Sequence, residues 1–280
     1  MRRRGAAIAR KSGLSLAIWA VVAVVSFPLF WMVSTALKPP AELFQIPPTV
    51  FPRSPTLSHF SDLLFNTPFP IYFLNSTVVA CGTTAIVLVV GTLGAHSLVR
   101  FQYPGREWMA RIVLFTYLLP HVVIVIPLYL LVAELGIINT PFSLVFTYSA
   151  FALPFGLWLL RSFMNSIPPD LEAAALVDGA SRMEAFFDVI LPLARPGILT
   201  TGLFTFILAW NEYLYALVMV SKDVNKTLPV GVISLLTTGF DVDWSLLMSA
   251  SVLMSAPLVI LFAVMQKYLT RGFGTGGVKG

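Results

Sequence analysis

Charge is scarce in this sequence. Of its 280 residues, 11% are charged and 57% are hydrophobic, and the mean hydropathy is +0.85. Soluble domains carry about 25% charged residues, most of them on a water-facing surface. The composition therefore excludes an ordinary soluble domain and predicts a polytopic membrane protein.

Cysteine and catalytic motifs are also lacking. The single cysteine, Cys81, lies in an apolar run, which excludes a disulfide framework and a CxxC metal site. The motifs GxxxxGK(S/T), HExxH and GxSxG do not occur. The end of the chain, GFGTGGVKG, looks like a phosphate loop but lacks the following Ser or Thr and the helix that would hold phosphate. We therefore expect no catalytic residue, no bound cofactor, no metal and no ATPase activity in this chain.

Long apolar runs are what the sequence has instead. They predict six transmembrane helices, each long enough to cross a hydrocarbon core of about 30 Å. The predicted spans run from Leu14 to Leu37, Ile71 to Val99, Trp108 to Leu135, Phe142 to Met164, Pro196 to Val220 and Leu246 to Leu269. Pro120 and Pro127 are expected to kink the third span.

One long charged interruption, residues 168–192, separates the fourth and fifth spans. It predicts two short helices joined by a glycine turn. The first would begin at the paired prolines and stop at Gly179, where a residue without Cβ can turn left-handed. Ser181 followed by Glu184 fits a capping box, and an apolar helical face continues until Pro192 ends the second helix. Such a helical pair is typical of a docking element.

This stretch resembles the cytoplasmic EAA loop of ATP-binding-cassette (ABC) importer permeases, and we call residues 165–195 the docking loop. The elements that match in order and spacing are Glu172-Ala173-Ala174, Gly179 and Ile190-Leu191-Pro192. The resemblance implies a set of ATPase-coupling residues: Glu172, Ala173, Ala174, Asp178, Gly179, Ile190 and Pro192. Alanine and glycine would let a partner approach the backbone closely, and Glu172 is expected to make a charged contact. The alternative, a helix on the membrane surface, would favour Lys and Arg, whereas this segment is acidic.

Basic residues indicate the orientation. Of the 18 Lys and Arg residues, 14 lie in the N-terminal arm, the 100–111 region, the 161–195 region and the tail, and 4 lie in the three opposite segments. By the positive-inside rule, both termini and the docking loop are predicted to be cytoplasmic.

The fifth span carries the most polar patch of the predicted membrane interior, Asn211-Glu212-Tyr213. An ionisable side chain at that depth is costly unless it faces a wet cavity or a partner. These three residues are therefore candidates for lining the substrate path. Alternatively, Glu212 is protonated, or it is paired with a polar group of another subunit.

The segments AWNEYLYAL and GTGGVKG resemble those of carbohydrate-uptake permeases of the maltose-type second subunit. That resemblance implies an all-α, type I ABC importer permease fold with six transmembrane helices, formed by residues 1–280 as one domain. It implies sugar import by alternating access across the cytoplasmic membrane of a prokaryote. The implied partners are a homologous second permease, two ATPase subunits that bind ATP and Mg, an external solute-binding protein and lipid, but no nucleic acid. The tail, residues 271–280, would contact the ATPase subunits through Gly277, Val278 and Lys279.

Other functions remain open from the sequence. ABC permeases for amino acids or phosphate share the docking loop. An ion-coupled secondary transporter would need no ATPase, and would more often show inverted repeats, broken helices and carboxylates near the bilayer midplane. Only Glu212 approaches that description, and a membrane-embedded enzyme is the least favoured because no catalytic motif occurs.

Overall fold

The computed structural model is built from helices and describes residues 2–236 and 243–274, with side chains over 13–235 and 243–267. The helices are α1 (Arg2–Ala36), α2 (Pro40–Leu43), α3 (Ser58–Phe65), α4 (Phe69–Arg100), α5 (Arg106–Tyr117), α6 (His121–Glu134), α7 (Pro141–Asn165), α8 (Pro169–Val177), α9 (Arg182–Glu184), α10 (Leu191–Trp210), α11 (Leu214–Met219), α12 (Leu228–Leu236) and α13 (Trp244–Gly274). A π-helical segment, Ala185–Ile190, joins α9 to α10, and a 3-10 turn, Asp223–Asn225, precedes α12. These ranges contain no strand, so the all-α prediction is confirmed for them.

Within the described residues, five helical stretches are long and apolar enough to cross a membrane. They are Gly13–Ala36, Phe69–Arg100, Pro141–Asn165, Arg182–Trp210 and Trp244–Lys267. The bent pair α5 and α6 supplies a sixth if it is one span. The predicted six-span layout is therefore reached only with this bent pair.

The third predicted span is not one kinked helix. The axes of α5 and α6 differ by 102°, and the break lies between Tyr117 and His121. Pro120 explains the break, because proline offers no backbone donor and disfavours helical backbone at the residue before it. Pro127 lies inside α6 without ending it, because that helix continues to Glu134.

The fifth predicted span is displaced and interrupted. Helical structure runs without a gap from Arg182 to Trp210, so Pro192 does not end a helix, contrary to the prediction. The π-helical segment before Pro192 gives the reason. In an α-helix a proline clashes with the carbonyl four residues earlier, whereas a π-helix spaces its hydrogen bonds five residues apart. The span then breaks after Trp210 rather than continuing to Val220.

The chain divides into two compact units. The first comprises residues 1–67 and 234–255, and the second comprises residues 68–233 and 256–280. The prediction that residues 1–280 form one transmembrane domain stays a prediction.

In the first unit, two buried charged residues organise the proline-rich segment that follows α1. Glu42, 4% exposed, accepts a hydrogen bond from Thr49 Oγ1 at 2.6 Å and another from the Arg53 amide at 3.1 Å. Lys38, 3% exposed, donates from Nζ to the Thr49 carbonyl and lies over the Trp31 ring. These contacts hold the irregular stretch between α2 and α3 in place.

The core of the second unit consists of α4, α7 and α10, which pack against one another. A Cβ added to Gly156 of α7 would lie 2.6 Å from Val87 Cγ1 of α4, so these two helices approach closely at a small residue. The ends of α4 and α7 meet the π-helical segment in one apolar cluster. Its members are Ala95, Leu160, Met164, Ile167, Phe186, Ile190 and Ala194. The docking loop is thus attached directly to the helical core.

Candidate functional site

The docking loop folds as its caps predict. α8 ends at Val177, and Gly179 adopts a left-handed conformation with φ +95°. Ser181 caps α9: its Oγ accepts from the Glu184 amide at 3.3 Å, and Glu184 Oε2 accepts from the Ser181 amide at 2.7 Å. The predicted glycine turn and capping box are both confirmed.

The outer face of the docking loop carries small side chains. Its exposed members from the predicted coupling set are Ala173, Ala174, Asp178 and Gly179. A Cβ added to Gly179 would meet nothing within 4 Å, so the surface beside it is open. Ile190 is fully buried in the apolar cluster and Pro192 is half-buried, so these two residues support the loop from beneath. The role of the set in coupling stays a prediction.

Glu172 does not present its charge on that face. The residue is 9% exposed, and its Oε2 lies 3.0 Å from Arg100 Nε while its Oε1 lies 3.6 Å from His96 Nε2. The Oε2–Nε contact is an ion pair by distance, without the alignment of a hydrogen bond. Within this chain the carboxylate of Glu172 is therefore paired with Arg100, and its expected contact with an ATPase subunit stays a prediction.

Sequence reasoning missed His96 and Arg100 as partners of Glu172. From the sequence, His96 is a packing or interface residue and Arg100 is a topology signal at the end of a span. No spacing rule connects Arg100 of α4 to Glu172 of α8, since the two residues are 72 positions apart (172 − 100) in the chain. The only signal was a histidine and an arginine at i and i+4, which places both on one helical face.

Asn211, Glu212 and Tyr213 form the break between α10 and α11. Glu212 acts as a cap, because its Oε1 accepts from the Tyr215 amide at 2.9 Å and its Oε2 accepts from the Ala216 amide at 3.1 Å. Asn211 is exposed, Tyr213 is 36% exposed and Glu212 is half-buried. The break thus offers an amide and a phenol at the surface, with a carboxylate behind them.

The two helix breaks of the second unit lie side by side. Tyr215 Oη donates to the His121 carbonyl at 3.0 Å, which joins α11 to the start of α6. The Phe151 ring stacks on the Tyr215 ring with centroids 5.2 Å apart, and it also lies 5.2 Å from the His121 ring. Tyr148 lies beside Glu212. In a membrane, irregular backbone is tolerated only where it is buried in protein or lines a watery cavity.

Two further predictions concern a metal and the tail. Over the part of the chain that the structure describes, no group of three His, Cys, Asp or Glu side chains is placed to hold a metal ion. The predicted ATPase contacts Gly277, Val278 and Lys279 lie outside the described residues and stay predictions.

Comparison with known proteins places this geometry in a family. The family model "Binding-protein-dependent transport system inner membrane component" matches residues 87–275. The inner membrane ABC transporter permease protein YcjP of Escherichia coli is 34% identical over 95% of this chain and 94% of its own. The trehalose/maltose transport system permease protein MalG of Thermococcus litoralis is 35% identical over 91% of both chains.

A solved structure supports the fold independently. One chain of a bacterial ABC transporter involved in alginate import superimposes with a TM-score of 0.80 at 22% identity, over 92% of this chain and 96% of that one. At that identity the likeness concerns the fold alone, and it agrees with the type I importer permease fold predicted from the sequence. The chain belongs to the family of inner-membrane permease components of binding-protein-dependent ABC transport systems.

Proposed function

We propose that this chain is one of two transmembrane subunits of an ABC importer that moves a sugar across the cytoplasmic membrane by alternating access. The observation that carries the proposal is the docking loop. Its small-residue face is open, its turn is left-handed at Gly179, and its underside packs on the ends of the core helices. The sugar follows from the relatives, because a trehalose/maltose permease is 35% identical over 91% of this chain.

The proposed partners follow from the family description and from the phosphate loop that the sequence lacks. A homologous permease would complete the pathway, two ATPase subunits would bind ATP and Mg and hydrolyse the ATP, and an external binding protein would deliver the solute. The sequence has no phosphate loop of its own, and the family description names a binding protein.

The residues of the proposed site have different roles. The face formed by Ala173, Ala174, Asp178 and Gly179 would receive the ATPase subunit on the cytoplasmic side, and the tail residues Gly277, Val278 and Lys279 would contact the ATPase subunits as well. Asn211, Glu212 and Tyr213 would line the substrate path, because polar side chains and irregular backbone coincide there. This chain would bind neither ATP nor a metal ion.

One experiment tests the proposal. The chain is purified with its second permease and ATPase subunits in a bilayer mimic, and ATP hydrolysis is measured with the binding protein and a panel of sugars, amino acids and phosphate. We expect a sugar to stimulate hydrolysis, and only when the binding protein is present. Stimulation by amino acids or phosphate alone would refute the sugar assignment. Solute uptake driven by an ion gradient without ATP would refute the ABC mechanism.

A further inference from the structure

A buried cluster of ionisable side chains lies beneath the docking loop. His96 and Arg100 belong to the last two turns of α4, and Glu172 belongs to the first turn of α8. Their side chains are 9%, 10% and 12% exposed. We call these three residues the buried charge cluster.

Arg100 joins the end of α4 to two parts of the docking loop. Its Nε lies 3.0 Å from Glu172 Oε2, and its terminal nitrogen donates to the Ile167 carbonyl at 2.9 Å. Ile167 lies in the turn between α7 and α8. A guanidinium serves both contacts at once because its donors lie in a rigid plane, which a lysine ammonium lacks. Arg100 therefore holds α8 and the turn before it.

His96 extends the cluster to the second half of the loop. Its Nε2 lies 3.6 Å from Glu172 Oε1, and its ring meets the Phe186 ring edge-on with centroids 4.7 Å apart. Phe186 belongs to the π-helical segment and packs in the apolar cluster. Both halves of the docking loop are thus in contact with the end of α4.

Burial distinguishes this cluster from a surface ion pair. The pair between Arg161 and Glu107 is as short, at 2.8 Å, but its side chains are 25% and 50% exposed. Water readily replaces one partner of an exposed pair, so such a pair contributes little. A buried charge that loses its partner is strongly unfavourable. The Arg100–Glu172 pair therefore resists separation when the docking loop moves.

We propose that the buried charge cluster is the joint that passes movement of the docking loop to α4, with Glu172 and Arg100 as its positioning residues. This inference rests on the proposed function, because it requires the docking loop to be the coupling element. α4 packs against α7 and α10, so a displacement at its end reaches the core helix that leads to the break at Glu212. Glu172 takes part in this joint through its pairing with Arg100 inside the chain.

A double-mutant cycle on the assembled complex tests the joint. Glu172→Gln, Arg100→Gln and the double variant are compared for solute imported per ATP hydrolysed and for retention of the ATPase subunits. We expect each single variant to lower this ratio roughly 5- to 10-fold with the ATPase subunits retained, and the double variant to lower it no further. Effects that multiply would show that the two residues act separately, and would overturn the proposal.

Three further measurements separate the outcomes. The same cycle on Glu107 and Arg161 removes an exposed pair, and we expect the import ratio to stay at the parental value. Gly179→Val, measured in the same preparation, tests the docking loop itself: a coupling loss there with multiplying effects at Arg100 and Glu172 would leave the proposed function standing and the joint refuted. Arg100→Lys keeps the charge and should keep part of the coupling. If complexes with Glu172→Gln and with Arg100→Lys both fail to assemble, the cluster serves folding and the proposal is wrong.

Discussion

Gly179 has two separate reasons to be glycine. Its φ of +95° lies in the region that residues with a Cβ rarely adopt. A Cβ there would meet nothing within 4 Å, so the chain itself leaves room for a side chain. Any steric demand for a bare surface at this position must then come from a partner. The backbone effect and the surface effect can be separated by experiment.

We expect Gly179→Val to insert, to pair with the second permease, and to lose transport. The backbone strain should cost about 1–2 kcal/mol, and the new side chain would stand in the contact with the ATPase subunit. The measurement is solute uptake in vesicles, together with substrate-stimulated ATP hydrolysis and retention of the ATPase subunits.

Gly105 supplies a matched control for this variant. It also has a left-handed backbone, with φ +85°, and open space where a Cβ would stand, but it lies before α5 and outside the docking loop. Gly105→Val should therefore carry similar strain and keep coupling. Parental transport and parental stimulation in Gly179→Val would mean that the docking loop is not the coupling element.

Glu212 caps α11 and is also a candidate for lining the substrate path. Glu212→Gln keeps one acceptor oxygen of the two that bind the Tyr215 and Ala216 amides, so the start of α11 should weaken by about 0.5–2 kcal/mol. We expect uptake to fall while complex assembly and basal ATP hydrolysis stay near parental values. Glu134→Gln, the same change at an exposed glutamate that ends α6, is the control. Failure of the Glu212→Gln complex to assemble would favour a packing or subunit-pairing role.

At the scale of elements, the sequence predicts what is decided locally. The turn at Gly179 and the capping box at Ser181 depend on residues three or four positions apart, so they can be read directly from the chain. The helix breaks cannot be read from the chain in this way. Pro120 lies in the break between α5 and α6, whereas Pro127, Pro154 and Pro196 lie inside continuous helices. What differs is the support from neighbouring helices, such as the bond from Tyr215 to the His121 carbonyl at the first break.

The direction of Glu172 was beyond the sequence for the same reason. An acidic residue in a short helix between two turns is more often at the surface than buried. Here the fold brings Arg100 from the end of a distant span to the carboxylate, which pairs the charge inside the chain. The coupling residues on the outer face were identified through the resemblance to the EAA loop, and their role stays a prediction.

The segment after α1 allows a prediction on pH. The hydrogen bond from Thr49 holds the pKa of the Glu42 carboxyl below its ordinary value of 4.5, with further support from the Arg53 amide. A carboxyl whose pKa is lower when folded than when unfolded stabilises the folded segment above the unfolded pKa, and this stabilisation is lost as pH falls through the folded pKa. We expect amide protection at Arg53, corrected for intrinsic exchange, to be full at neutral pH and to decline below about pH 4.5.

Glu42→Gln is the control for this pH dependence, because its side chain keeps an acceptor but does not titrate. Its amide protection at Arg53 should be lower than parental at neutral pH and flat across the acid range. Protection in the parental chain that is equal at pH 6 and at a pH well below 4 would contradict the assignment of Glu42 as the residue that holds this segment.

At the scale of the whole molecule, the orientation depends on charge and on helix count together. Both termini lie on one side only if the number of spans is even, and among the described residues that number is six when α5 and α6 form one bent span. If the bent pair entered and left the same side, the docking loop and the N-terminus would face opposite sides. The 14-to-4 distribution of Lys and Arg favours the even count, because it places the basic segments together.

Cysteine labelling decides between these layouts. Single cysteines are introduced at Arg4, Arg106, Gly280, Pro55 and Asn225 in a background without Cys81, whose exposed thiol would otherwise react. With six spans, an impermeant thiol reagent applied to intact cells should label the cysteines at Pro55 and Asn225, and should label those at Arg4, Arg106 and Gly280 only after the membrane is opened. If α5 and α6 are re-entrant, the cysteines at Arg4 and Arg106 would still lie on the same side of the membrane, because two spans, α1 and α4, separate them. Gly280 would then differ from Arg4. External labelling at Arg106 would mean that α4 crosses the membrane in the opposite direction. External labelling at Gly280 would mean that the docking loop lies outside the cell, where an ATPase subunit has no ATP.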